Sequence, residues 1–410
     1  MRAREIVAAI GDAAARWCDA DFPARIRATR ASMERTGYTE PVVDYALDRL
    51  FSGITPEALT ATIVSELGSL AALDGFVERA GRPAVFYRGI DEVAILSSNT
   101  TLGVAIPYLV FALCAKARVT VKDRADRLVA AFAETLVEER AEFEDAVRVE
   151  SWPGADPVES PARIGAAGVV VAFGRAATLR TIRAQLAPDA RFIPFGHRTS
   201  IGYVSRDDLP DEAAARAVAR AAALDALLYD GEGCLSLHAL FVEQGAAVDA
   251  ARFTELAAAA CDDVAIEFPS NNREPAASAL AFRNGMLFRT AQGQGSVHAR
   301  AGAAHVVAFD PRLVEPPPLA PRTLVIYPVD GPESALAYLR EHELPLEAFA
   351  CASVPRPDVL ALAVASGAAR IARLGALQDP PPAGNHGGES RILPFVRAVY
   401  RDPFPAAPIA

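Results

Sequence analysis

Apolar positions recur at helical spacing through the first 75 residues, in alanine-rich segments broken at "DFPAR", "RTGYTEP" and "SGITPEAL". The last break offers Thr55, Pro56 and Glu57 as a helix start: a capping side chain, a proline at the first helical position and an acid in the first turn. A helical cap is expected here. Further on the pattern shortens to β-branched runs, "EVAILSS" (92–98), "ARVTVKD" (117–123), "GVVVAFG" (168–174) and "ARFIPFG" (190–196). Segments of helical period separate them: "IPYLVFALCAK" (106–116), "RLVAAFAETLVEERAEF" (127–143) and "RAATLRTIRAQL" (175–186). Parallel neighbours need a crossover connection, so β-α units of this length predict a parallel sheet with helices on its faces. The unbroken run from Val169 to Phe173 suits a strand buried on both faces.

A second alternation opens near Asp211 with the long helix "DEAAARAVARAAALDALLYD", followed by a glycine-containing turn and "SLHALFVE" as a strand. "HVVAFD" (305–310), "RTLVIYPVD" (322–330) and "VLALAVAS" (359–366) are further predicted strands, and "ESALAYLREHEL" a helix. Proline keeps "VEPPPLAPR" and "QDPPPAGNHGG" extended as surface connections. The predicted class is α/β: a helical region over 1–75, a nucleotide-binding type of domain over 76–209, a second α/β domain over 210–380 and a C-terminal segment over 381–410.

Composition narrows the functional classes. A chain of 410 residues, 51% hydrophobic, fills more than one core. A net charge of −10 without any local lysine or arginine cluster excludes the footprint of a nucleic-acid binder. The N-terminal stretch carries Glu5 and Asp12 among its apolar positions, which makes it an amphipathic helix instead of a signal peptide. The longest apolar stretch, Leu102 to Ala115, is too short to span a bilayer. Five scattered cysteines without a CxxC suggest neither a disulfide framework nor a zinc site, and the expectation is a cytoplasmic protein with reduced thiols. The six histidines show no ligand spacing, so no metal is expected.

In "DGEGCLSLHALFVEQG" (230–245), Cys234 sits where a glycine turn joins a helix to a strand, open to an approaching substrate. It is either a small core residue, as most cysteines are, or a nucleophile. A loop close to helix ends is a setting that lowers a thiol pKa. His238 lies in the strand leaving the turn, where extended geometry carries it away from the thiol, so its role reads as structural. Gly174 lies between a buried strand and a helix start, where free N–H groups and the helix dipole favour a pyrophosphate; a simple tight turn is the other reading. "AQGQGSVH" (291–298) does not complete a dinucleotide fingerprint and reads as a flexible loop.

In order along the chain, "SSNTTLGVAIPYLVFALCAKARVTVKDR", "VVVAFGRAATLRTIRAQL", "RFIPFGHRTSIGY" and "DGEGCLSLHALFVE" resemble the succession that marks the aldehyde dehydrogenase superfamily. "GCLS" and the C-terminal "RIARLGALQDPPPAGNHGGESRILPFVRAVY" resemble its acyl-CoA reductase branch, which includes the fatty acid reductase subunit of bacterial luminescence. The resemblance covers about residues 85 to 400. It implies a Rossmann-like cofactor domain and a catalytic domain. Cys234 then forms a covalent thioacyl enzyme, and the Asn99 amide with the Cys234 N–H holds the oxyanion. Lys122 contacts the adenosine ribose, Phe173 and Gly174 form the phosphate-facing turn, and Gly196 lies beside the nicotinamide. Pro194 stands where hydrolytic members carry the water-activating glutamate, and proline is no base. Glu315 is the candidate for the glutamate that grips the nicotinamide ribose. "AGNHGG" departs from the branch pattern around its late histidine, which leaves a role for His386 open.

The implied activity is NADPH-dependent reduction of an acyl thioester to an aldehyde, with NADH as the alternative cofactor. The acyl donor is acyl-CoA, an acyl carrier or an acyl-protein, supplied in one version by an acyl-activating partner enzyme. Two other readings remain: a CoA-acylating aldehyde dehydrogenase working in the oxidative direction, and a non-redox acyl-transfer subunit using the same cysteine. The superfamily implies a homodimer or homotetramer, for which the apolar "RILPFVRAVY" would supply a contact unless it is a plain core strand.

Overall fold

The computed structural model describes residues 1–97, 102–123, 127–152, 159–271, 277–299, 305–381 and 384–403. Two compact units emerge. One comprises Met1–Arg35, Ala46–Gly196 and Pro381–Ala410, the other Thr36–Tyr45 and His197–Pro380.

Helices α1 (Ala3–Trp17), α2 (Pro23–Thr36), α3 (Glu40–Ser52) and α4 (Pro56–Leu67) form the N-terminal region. Thr55 caps α4 as its sequence suggests, its side-chain oxygen accepting from the Ala58 N–H at 3.2 Å. Trp17 is fully buried against Phe51, with ring centroids 4.8 Å apart, and its indole N–H donates to the Thr135 hydroxyl. A large aromatic is thereby buried with its polar atom satisfied. The hairpin β1 (Val77–Arg79) and β2 (Arg82–Gly89) follows.

Next come β3 (Glu92–Leu96), α5 (Ile106–Cys114), β4 (Arg118–Lys122), α6 (Leu128–Glu139), β5 (Val147–Glu150), α7 (Glu159–Ile164), β6 (Val169–Phe173), α8 (Ala176–Ala184) and β7 (Arg191–Phe195). The five strands are parallel, in the order β5-β4-β3-β6-β7. Winding goes outward from β3 in one direction and resumes from β3 in the other, which places a topological switch point between β3 and β6. The C-terminal ends of strands at such a point are where open α/β sheets bind ligands.

The second unit holds β8 (Thr199–Val204), α9 (Glu212–Leu227), β9 (Leu237–Glu243), α10 (Ala250–Glu267), α11 (Ala277–Ala291), β10 (Ser296–His298), β11 (Val306–Phe309), β12 (Thr323–Val329), α12 (Pro332–Glu341), β13 (Leu346–Cys351), α13 (Pro357–Ala365) and β14 (Arg370–Arg373). Its seven-stranded sheet runs β10-β11-β12-β9-β8-β13-β14, parallel except at β10. Tyr203, Phe241, Tyr327 and Phe349 anchor a core on one face. In the first unit, β15 (Val396–Arg401) closes the chain by pairing antiparallel with β2.

Several elements depart from the pattern reading. Of residues 359–366, read as a strand, all but Ser366 lie in α13: Val359, Leu362 and Ala363 are its buried face, and Pro357 starts it. "AQGQGSVH" is no free loop, because Ser296–His298 pairs with β11. β8 lies inside the 76–209 range yet pairs with β9 and β13. The late apolar segment yields in β15 a strand exposed beyond Val396, not a core strand.

Candidate active site

The turn carrying Cys234 begins where α9 ends. Tyr229, Asp230 and Gly231 adopt left-handed backbone in succession, with φ of 55°, 55° and 68°. For two non-glycine residues this conformation is strained, and it persists only when the surroundings hold it. Arg322 does so: its N–H donates to the Asp230 carbonyl and its guanidinium to the Asp230 carboxylate, both at 2.9 Å. A second guanidinium nitrogen donates to the Phe268 carbonyl, and both members of the ion pair are buried. A Cβ on Gly231 would come within 2.7 Å of the Arg322 nitrogen, so only glycine fits.

Beyond the turn, Ser200 donates from its hydroxyl to the Cys234 carbonyl at 2.8 Å. Gln378 bridges the Ser236 hydroxyl and the Asp225 carbonyl. Burial raises the Asp225 carboxyl to about 7 even though it accepts from the Gly375 and Leu377 N–H groups.

Cys234 itself is half-buried. A carboxylate oxygen of Glu347 lies within 4.8 Å of its sulfur. Burial, followed by the Glu347 charge, pushes the thiol up to about 12, against the pull of its own N–H, the Leu235 N–H and the Arg198 guanidinium. The resting thiol is therefore protonated at neutral pH, the opposite of the lowered pKa expected for such a loop. Glu347, buried in β13 and 3.7 Å from Arg198, escaped the sequence reading. Its signal was a lone acid in the apolar run "LEAFAC", since buried acids concentrate at functional sites. His238 is the second residue of β9, buried, with its imidazole pushed down to about 4 by burial and then by His197, as befits a structural histidine.

In the first unit, the cofactor candidates gather at the C-terminal ends of the parallel strands. Lys122 ends β4, buried, with its ammonium 4.8 Å from the centre of the Trp152 ring; the Arg163 guanidinium is 5.5 Å from that centre. Phe173 ends β6 and stacks on Phe195 at 4.9 Å, and Phe195 stacks on His386 at 4.5 Å. The Tyr108 hydroxyl and His386 Nδ1 share a 2.5 Å hydrogen bond. His386 is thus placed at the ends of β6 and β7. The Gly174 N–H donates to the Phe195 carbonyl, so it is not a free phosphate donor; what remains there is the start of α8. A Cβ on Gly174 or Gly196 would make only ordinary contacts, at 3.6 and 3.7 Å, so packing within the protein does not demand glycine at either position. That open backbone beside a helix start fits a dinucleotide.

Asn99 lies outside the described residues. Glu315 is exposed and ion-paired with Arg289, while its carbonyl accepts from Tyr338. Pro194 is exposed on β7. Among the described residues no helix is long and apolar enough to cross a membrane.

Comparisons place this architecture. The chain is similar to an NAD-dependent benzaldehyde dehydrogenase from Corynebacterium glutamicum, at TM-score 0.70 and 15% identity over 98% of this chain and 86% of that one. It is similar to an NAD-dependent aldehyde dehydrogenase from Sinorhizobium meliloti, at TM-score 0.69 and 14% identity over 100% and 84%. It is also similar to lactaldehyde dehydrogenase from Escherichia coli, at TM-score 0.66 and 12% identity over 97% and 86%. At such identities the likeness speaks for the fold alone, which is that of the aldehyde dehydrogenases across nearly the whole chain. No curated protein sequence matches. The family described as Acyl-CoA reductase (LuxC) matches residues 1–398. Fold and family agree with the resemblance carried by the motifs, and the chain belongs to the LuxC acyl-CoA reductase family, a family of oxidoreductases that reduce acyl groups to aldehydes.

Proposed function

We propose that the protein reduces an acyl thioester to an aldehyde through a thioacyl intermediate on Cys234, with NADPH as reductant. The observation that carries this reading is the Cys234 turn: a half-buried thiol on strained backbone held by a buried ion pair, beside a buried carboxylate. Such strain concentrates where a side chain must be presented in one geometry. Cys234 Sγ attacks the thioester carbonyl, the C–S bond to CoA breaks, and the acyl group stays on the protein. Its own N–H and the Asn99 amide are the proposed donors to the oxyanion.

Lys122 and the start of α8 would hold a nicotinamide cofactor, which when bound supplies the hydride. Lys122 also motivates the preference for NADPH, as a cation for a ribose phosphate. Collapse of the reduced species frees the aldehyde and returns the sulfur. Pro194 offers no base to a competing water, so the thioacyl enzyme lasts long enough to be reduced. The proposed donor is acyl-CoA or an acyl-protein, and the proposed setting is the cytoplasm, as a homodimer or homotetramer.

The test is the intact mass of wild type and Cys234→Ala after mixing with acetyl-, octanoyl- and hexadecanoyl-CoA, with and without NADPH. An acyl mass on wild type alone, removed by NADPH as aldehyde appears, is expected. An adduct that NADPH leaves in place turns the reading toward acyl transfer, and an adduct on Cys234→Ala overturns it.

A further inference from the structure

We infer that Gln378 is a positioning residue for the Cys234 nucleophile: its one amide nitrogen ties the last turn of α9 to the turn that carries the thiol. The inference rests on Cys234 being the nucleophile. The Ser236 N–H donates to the Gly233 carbonyl at 3.0 Å, which closes a tight turn with Cys234 and Leu235 at its centre. Gln378 Nε2 donates to the Ser236 hydroxyl at 3.2 Å and to the Asp225 carbonyl at 3.3 Å. All three residues are buried, Ser236 and Asp225 completely. A carbonyl only accepts, so the Asp225 oxygen fixes which end of the amide faces it. The two tie points bracket Tyr229, Asp230 and Gly231, whose left-handed backbone carries the chain from the helix toward the thiol.

The strap that bears Gln378 is itself held from both sides. It follows β14 and lies against α9: a Cβ on Gly375, at φ 83°, would come within 2.9 Å of the Ala221 Cβ. The Gly375 and Leu377 N–H groups donate to the two carboxyl oxygens of Asp225 at 2.5 and 3.0 Å. The Ala376, Leu377 and Asp379 carbonyls accept from the Arg370 guanidinium at 2.7, 2.8 and 3.2 Å. A side chain reaching out from backbone so fixed is a rigid support for the group it holds. Burying an amide costs free energy unless its hydrogen bonds are made, so a mere filler here would be apolar. The amide does what a filler cannot, by setting the distance between helix and turn. The Cys234 sulfur and its N–H, the proposed oxyanion donor, both lie on that turn, so any shift moves them together. Ser200 holds the Cys234 carbonyl from β8, and Gln378 holds the far end of the turn.

The experiment compares wild type, Gln378→Met, Ser236→Ala and the double variant. Single-turnover acylation by the fastest of acetyl-, octanoyl- and hexadecanoyl-CoA is followed by mass, with alkylation by iodoacetamide and urea midpoints alongside. The saturating acylation rate is expected to fall about tenfold in each single variant, with the half-saturating acyl-CoA concentration unchanged. The double variant should lose no more than the slower single, because both changes remove the same hydrogen bond. Alkylation needs thiolate but no oxyanion donor, and should stay within about twofold of wild type. Acylation within about threefold of wild type in both singles, losses that multiply in the double, or equal losses in acylation and alkylation overturn the inference and leave the proposed function standing. A wild-type acyl adduct that persists in Cys234→Ala, or the absence of any adduct, overturns both. Should Gln378→Met not fold, Ser236→Ala, which removes one oxygen and no backbone contact, decides by the same comparison of acylation with alkylation.

Discussion

The Ser200 hydroxyl donates a 2.8 Å hydrogen bond to the Cys234 carbonyl, tying the thiol-bearing turn to β8. Ser200 is fully buried. Ser200→Ala is expected to lower unfolding stability by about 1 kcal/mol, the ordinary net value of one lost hydrogen bond. It should also slow acylation of Cys234 severalfold while leaving cofactor affinity unchanged. Urea melts and NADPH titration check the two halves separately.

Arg322 and Asp230 make the buried ion pair that holds the left-handed turn. Removing one partner strands a charge, so Arg322→Ala should cost about 3–5 kcal/mol. Replacing both by apolar residues should recover part of that stability without recovering acylation, because the turn would lose the contact that fixes its backbone. Denaturation midpoints and acyl-mass formation on the single and double variants give the answer.

Two buried groups impose opposite pH slopes. Asp225 has its carboxyl raised to about 7, so its contribution is full below its ordinary value near 3.8 and is lost as pH rises through 7. His238 is depressed to about 4, so its contribution is full above 6.5 and is lost as pH falls through 4. Between pH 4.5 and 6.5 the two slopes oppose each other. Asp225→Asn should leave a stability that rises with pH by up to about 1.4 kcal/mol per unit, and His238→Gln one that falls by a similar amount. Urea midpoints at the two ends of that window test this, and variants that both track wild type would refute it.

Lys122 is the proposed cofactor cation. Lys122→Ala should raise the KM for NADPH about tenfold, equivalent to ~1.4 kcal/mol, with kcat unchanged, and should affect NADH less. Equal losses with both cofactors would place Lys122 away from the ribose phosphate.

Much of the architecture was legible because the forces that build it are local. The strand of Val169–Phe173 and the capped start at Thr55 follow from apolar runs and a capping side chain, and both stand where the pattern put them. The misreadings share a cause. In α13 a stretch rich in valine, leucine and alanine satisfies both periods, and burial of Val359, Leu362 and Ala363 against the sheet settles it as helix. β10 exists only because β11 supplies its hydrogen-bond partner, information that lies outside its own residues. Site legibility divides in the same way. Cys234 shows itself through its glycine turn. Glu347 is distant in sequence and reaches the sulfur only when β13 is laid beside β8.

Cysteine burial decides what happens when the protein meets an oxidant. Cys114, Cys261 and Cys351 are buried, with thiols pushed up by burial to about 12, 12 and 11. Thiolate and access are both needed for oxidation. Access alone separates the five sulfurs: Cys18 is exposed and Cys234 half-buried, and Cys234 becomes reactive only as its thiolate forms. Replacing Cys18 with serine would leave a folded protein with one accessible sulfur. In that background, each equivalent of alkylating probe bound to the protein counts one modified Cys234.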